Sequence, residues 1–131
     1  MIKAVLDTNI LVSALWTPAG NESAIINLIL SDKIVPCFDQ HIINEYRAVL
    51  LRPRLAFPVN QVDELLTEIT GRGLSVVVLP GAIAIADESD RKFYDAAKYC
   101  KAYLITGNIR HYPKDPLVTN PARFLEVFQN A

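Results

Sequence analysis

The chain has 131 residues, 51% of them apolar, which is enough for one domain with a real core, expected to span residues 1–131. Its formal net charge of −1 excludes a broad basic groove gripping many phosphates, but not a nucleic acid whose charge is met by bound cations. Cys37 and Cys100 belong to no CxxC pair or His–Cys cluster, which argues against zinc and for reduced core thiols. With no basic-then-apolar leader and no apolar run long enough to span a bilayer, the expected compartment is the cytoplasm, with no membrane partner.

Ile2 to Leu6 is an apolar run that stops at Asp7, as a buried parallel strand would. A short helix is predicted over Asn9 to Leu15, broken by Thr17-Pro18-Ala19-Gly20. Asn21 can cap a second helix carrying Ile25, Ile26, Leu28 and Ile29. Lys33 to Phe38 reads as a strand, and Asp39 as the cap of a helix reaching about Leu51. Pro53 and Pro58 punctuate the way to a helix over Val59 to Thr70, ended by Gly71 and Gly73. Ser75 to Leu79 is expected as a third strand. Pro80 and Gly81 open a loop to Asp87, and a helix from Asp90 to about Tyr99 buries Phe93, Ala96, Ala97 and Cys100. Ala102 to Thr106 is a fourth strand and Leu117 to Thr119 a short fifth. Asn120 caps a last helix with Pro121 at its first position and Phe124, Leu125 and Phe128 turned inward. Strands alternating with helices imply a mostly parallel sheet of four or five strands with helices on both faces. In such sheets the functional crevice lies beyond the carboxyl ends of the strands, where Asp7 and Asn108 stand.

Four polar groups are candidates for that crevice. Asp7-Thr8-Asn9 follows the first strand directly, although each of the three is also a good helix cap. Glu45 lies roughly 100° from the centre of its helix's apolar stripe, beside Val49, at the margin of the buried face. Asp87-Glu88-Ser89-Asp90 precedes a helix. Capping accounts for some of these residues but needs fewer acids. Thr106-Gly107-Asn108 ends the fourth strand, where a plain turn would also use Gly and Asn. On the helix from Asp90, Asp90 lies roughly 70° and Asp95 roughly 150° from the stripe's centre, which puts Asp90 toward the sheet and Asp95 in solvent. The pairs Arg52 and Arg54, Arg91 and Lys92, and Arg110 and His111 are expected mostly as solvated surface charge.

The stretches VLDTNILVSAL, IINEYRAVL and DESDRKFYDAAKYCKAYLITGN, with the closing NPARFLEVF, resemble the PIN-domain family, and in particular the small VapC-like toxins of toxin–antitoxin systems. The resemblance spans essentially the whole chain. It implies a three-layer α/β/α fold and a metal-dependent endoribonuclease whose acids bind Mg²⁺ or Mn²⁺. Carried over, the catalytic and metal-binding acids are Asp7, Glu45 and Asp90. The fourth position, often Asp, falls on Asn108, which lowers the site's charge and puts a second metal in doubt. Asn9 matches the residue that orients the first acid, and Thr106 a supporting hydroxyl. Arg110 and His111 are candidates for substrate contact. RNA substrate, a small antitoxin and a homodimer are the implied partners. Two alternatives compete. One is a PIN-like module that binds RNA or protein without cutting, which Asn108 favours. The other is a haloacid-dehalogenase-like phosphatase, which would want a second Asp where Asn9 stands.

Overall fold

The computed structural model of the protein describes residues 1–130. Five strands, β1 (Lys3–Leu6), β2 (Val35–Phe38), β3 (Leu74–Ser75), β4 (Tyr103–Ile105) and β5 (Val118–Thr119), pair in parallel in the order β3-β2-β1-β4-β5. Helices α1 (Thr8–Trp16), α2 (Asn21–Leu30), α3 (Gln40–Leu50), α4 (Val59–Arg72), α5 (Arg91–Cys100) and α6 (Pro121–Gln129) flank the sheet in a three-layer α/β/α arrangement. The central strands are short and buried on both faces, so they read as apolar runs rather than as alternating patterns. α5 packs on β1, β2 and β4, while α1 and α2 pack on each other. None of the described helices is long and apolar enough to cross a membrane.

Two features aim the site. All strands run the same way, so Asp7, Asp39 and Thr106 follow the carboxyl ends of β1, β2 and β4 at one edge of the sheet. There, Tyr46 of α3 is buried with its hydroxyl donating to the Leu6 carbonyl oxygen at 2.5 Å, and its ring stacks on Phe93 of α5 with centroids 6.4 Å apart. That contact locks α3 and α5 over the end of β1 and brings Glu45, the neighbour of Tyr46, with it.

Caps were legible in part. Asp39 accepts from the Ile42 N–H and Asn120 from the Arg123 N–H, each at 2.8 Å, as expected. Asn21 does not cap α2: Gly20 holds the cap position and Asn21 is the first helical residue. The third strand is much shorter than Ser75 to Leu79. β2 ends at Phe38, and after the Val76 N–H bonds the Phe38 carbonyl oxygen at 2.9 Å the edge has no further partner. Val77 and Leu79 consequently stand 91% and 86% exposed. α4 runs through Gly71 and stops at Gly73.

The two glycines differ in kind. A Cβ on Gly73 would lie 2.5 Å from both the Phe38 ring and the Pro36 carbonyl oxygen, whereas nothing lies within 4 Å of one on Gly71. Gly71→Ala is therefore expected to stabilise the protein by about 0.5–1 kcal/mol through helix propensity. Gly73→Ala should destabilise it by about 1–3 kcal/mol through overpacking. Urea unfolding of both variants checks the opposite signs.

Candidate active site

Asp7 is only 8% exposed. Its backbone N–H donates to the Ile105 carbonyl oxygen at 3.0 Å, which ties it to the sheet. Its side chain does not cap α1. Instead, Oδ2 accepts from Thr106 Oγ1 at 2.8 Å and from the Tyr112 hydroxyl at 3.1 Å. Among the described residues, no donor meets Oδ1. The contrast with Asp39 is instructive. That equally buried acid gives one oxygen to the Ile42 N–H of its own helix, whereas Asp7 makes no cap bond and takes both its donors from distant parts of the chain. Thr106 is fully buried and its Oγ1 also accepts the Asn108 N–H at 2.9 Å. Burial, reinforced by Asp7 and Asp90 nearby, pushes the Tyr112 phenol far above its ordinary range, so it remains a donor to Asp7 at any working pH.

Glu45 stands at the buried margin of α3. Thr8 Oγ1 donates to its Oε2, and Lys92 Nζ lies 2.8 Å from its Oε1. Lys92 also donates to the Ser89 carbonyl oxygen. Asp90 ends a 3₁₀ turn, Glu88–Asp90, that Asp87 organises by accepting from Ser89 N at 2.9 Å and Ser89 Oγ at 2.8 Å. Asp87 thus does the capping, and the Asp90 carboxylate makes no cap bond. Its Oδ2 lies 3.7 Å from His111 Nδ1. Burial, with Asp7, Asp87 and Glu45 adding repulsion, raises the Asp90 carboxyl above the usual carboxylate range, against a lowering by His111.

Asp7, Glu45 and Asp90 line one cleft of about 240 Å³, together with Thr8, Asn9 and Arg52. Asn9 lines the cleft without bonding Asp7. Among the described residues, Thr106 and Tyr112 do the orienting expected of it. Asn108 and Arg110 line a separate hollow with Gly107 and Asn120, and Asn108 meets the acids only through its backbone link to Thr106. His111 reaches the site through Asp90; Arg110 does not. Asp95 is not in solvent as its helical angle implies. Its side chain is 11% exposed, accepts the Gly81 N–H at 3.0 Å, and lies 3.9 Å from Arg91, which also binds the Gly81 and Ile83 carbonyl oxygens. The loop before α5 folds back over that face and stands where the helical angle implies solvent.

Sequence reasoning missed Lys92, Tyr112 and Thr8. Lys92 looked like surface charge. Tyr112 sits in a loop with no periodicity to place it. Thr8 lay within the DTN motif, yet nothing local pairs it with a residue 37 positions away.

The donor set suits a hard divalent cation, since Mg²⁺ and Mn²⁺ prefer carboxylate oxygens. Asp7 offers a free oxygen, and burial first, then the nearby acids, disfavour an uncompensated charge on Asp90. Among the described residues, no three His, Cys, Asp or Glu side chains close into a preformed cage. Mg²⁺ does not require one, because it keeps several waters and takes one or two carboxylates. Glu45 would have to be released by Lys92 to join them.

A family model described as PIN domain matches residues 3–110. Uncharacterized protein MJ1680 of Methanocaldococcus jannaschii is 34% identical over 110 residues, 82% of this chain and 71% of that protein. Among solved structures, a chain in the crystal structure of VapBC2 from Rickettsia felis bound to a DNA fragment from their promoter superposes with a TM-score of 0.59. The match covers 91% of this chain and 97% of that one at 16% identity, a likeness of fold.

The Asp90 shift has a testable sign. An acid whose folded pKa is raised favours the folded state below its unfolded pKa, and that contribution is lost as pH rises through the folded value. In EDTA, Asp90→Asn should therefore melt above the parent at neutral pH. The difference should shrink as pH falls through the Asp90 titration. Thermal unfolding across that pH range measures it; a variant that melts lower at neutral pH would contradict a charge disfavoured by burial and neighbouring acids.

Proposed function

Because this chain belongs to the PIN domain family, we propose that it is a divalent-metal-dependent endoribonuclease acting in the cytoplasm as the toxin of a toxin–antitoxin pair. The observation that carries the reading is the meeting of Asp7, Glu45 and Asp90 in one cleft at the carboxyl ends of the strands. The toxin role has the support of the shared fold with the VapBC2 structure, which also suggests a small antitoxin as partner.

Hydrolysis forms a P–O bond from water and breaks one P–O bond of the RNA chain. Bound Mg²⁺ or Mn²⁺ would acidify a water molecule and draw charge from the phosphoryl oxygens. Asp7 and Asp90 would hold the cation. Thr106 and Tyr112 fix Asp7 so that its free oxygen keeps one direction. Glu45, once Lys92 turns from it to a phosphate, can orient the attacking water. Lys92 then neutralises substrate charge in a cleft that is otherwise acidic. Family membership leaves no place for the phosphatase alternative. A module that binds RNA without cutting is the remaining competitor, and the satisfied Glu45–Lys92 pair favours it.

Cleavage of a labelled single-stranded RNA by purified protein decides between them. Cutting is expected with Mn²⁺ or Mg²⁺, none in EDTA, and none from Asp7→Asn. Thr106→Val, which removes one of the two donors to Asp7, should cut about 10–100-fold more slowly while folding normally. RNA that is bound but stays intact in every metal would establish the non-cutting module instead.

A further inference from the structure

Helix α1 starts at the carboxylate cleft and ends on the chain's single tryptophan. Asn9, Val12 and Trp16 stand at i, i+3 and i+7 and so share one face of the helix. That face lines a second groove of about 300 Å³, together with Arg52, Arg54 and Leu55. Asn9 and Arg52 also line the carboxylate cleft, so the two hollows adjoin. From Asn9 to Trp16 the helix rises about 10 Å, which is on the scale of a nucleotide or two.

Trp16 is 60% exposed, with Phe57 behind it at a centroid distance of 6.0 Å. The arginines stand on a rigid turn. The Leu55 N–H bonds the Arg52 carbonyl oxygen at 3.0 Å, and the Ala56 N–H bonds that of Pro53 at 3.1 Å. Arg47, Arg72 and Arg91 are engaged by acids, whereas among the described residues Arg52 and Arg54, like Arg110 and Arg123, make no ion pair. An exposed aromatic ring beside two free guanidinium groups matches the parts of a nucleotide: a flat base to stack and phosphates to pair.

We propose that this groove is a single-stranded RNA subsite, in which Trp16 stacks a base flanking the bond to be cut and Arg52 and Arg54 hold its phosphates. The assignment rests on the ribonuclease reading and adds to it where the substrate runs. Adjacency to the cleft favours RNA over an acidic protein segment, since a phosphodiester chain entering the cleft must leave past one of its walls.

The lone tryptophan reports directly. A single-stranded RNA octamer is titrated into the Asp7→Asn protein, which should bind without cutting. Saturable quenching of Trp16 emission is expected. By anisotropy of labelled octamer, Trp16→Leu in that background should weaken binding about tenfold. Arg54→Ala should reduce the slope of log K against log salt by about 0.7. Saturable binding with unchanged emission, and with affinity and salt slope unaltered in both variants, would overturn the subsite while leaving the ribonuclease reading intact, because cleavage by the unsubstituted chain tests that separately. Quenching by a Glu-rich peptide but not by RNA would overturn it in favour of a protein partner. Absence of both RNA binding and cleavage would remove the two readings together.

Discussion

The carboxylate of Asp7 is held through one oxygen only. Thr106 and Tyr112 both donate to Oδ2, at 2.8 and 3.1 Å, and both come from the far end of the chain. The rest of the cleft depends on this arrangement. It exists because β1 and β4 are neighbours in the sheet, with Leu6 in register with Ile105, so that the residues immediately after them meet. Asp39, in the same place after β2, turns one oxygen to an N–H of its own helix. Asp7 is held by the tertiary fold instead, buried and oriented from two distant positions, and among the described residues no donor meets its Oδ1.

Such an arrangement concentrates negative charge, and the structure answers with an internal cation. Lys92 extends from the first turn of α5 to Glu45, and His111 lies near Asp90. Burial first, and then the remaining acids, still hold the Asp90 carboxyl raised. A half-compensated cluster of acids is poorly explained by stability, since buried like charges oppose folding. It is well explained by a task that brings its own positive charge. In that account Lys92 acts as a placeholder, satisfying Glu45 until a cation and a phosphate arrive to redistribute the charges.

The parts of this picture that the sequence discloses are those written locally. Apolar runs ending at Asp7, Phe38 and Thr106 announce parallel strands, and Asp39 and Asn120 announce the helices that follow. Glu45 could be placed because a helical angle, once the stripe of Ile42, Ile43, Tyr46 and Leu50 is known, says which side chains border the core. What escapes is long-range or supplied by a neighbour. The Val-rich run after Ser75 has the composition of a strand, but β2 is too short to pair with it. Asp95 has the helical angle of a surface acid, but a loop covers it. Thr8 and Glu45, or Asp7 and Tyr112, are partners only because of the topology, and no spacing rule connects positions 37 or 105 apart. Lys92 was hidden for a different reason: a lysine beside an acidic run looks the same in sequence whether it faces water or the site.

Asp7, Asp90 and Glu45 together call for a divalent cation. Calorimetric titration of Mn²⁺ into the metal-free protein tests it without reference to any substrate. Saturable binding is expected, abolished by Asp7→Asn and strengthened by Lys92→Gln, which removes a positive charge beside the cleft and frees Glu45. No binding by the parent, or equal binding by the parent and Asp7→Asn, would contradict it.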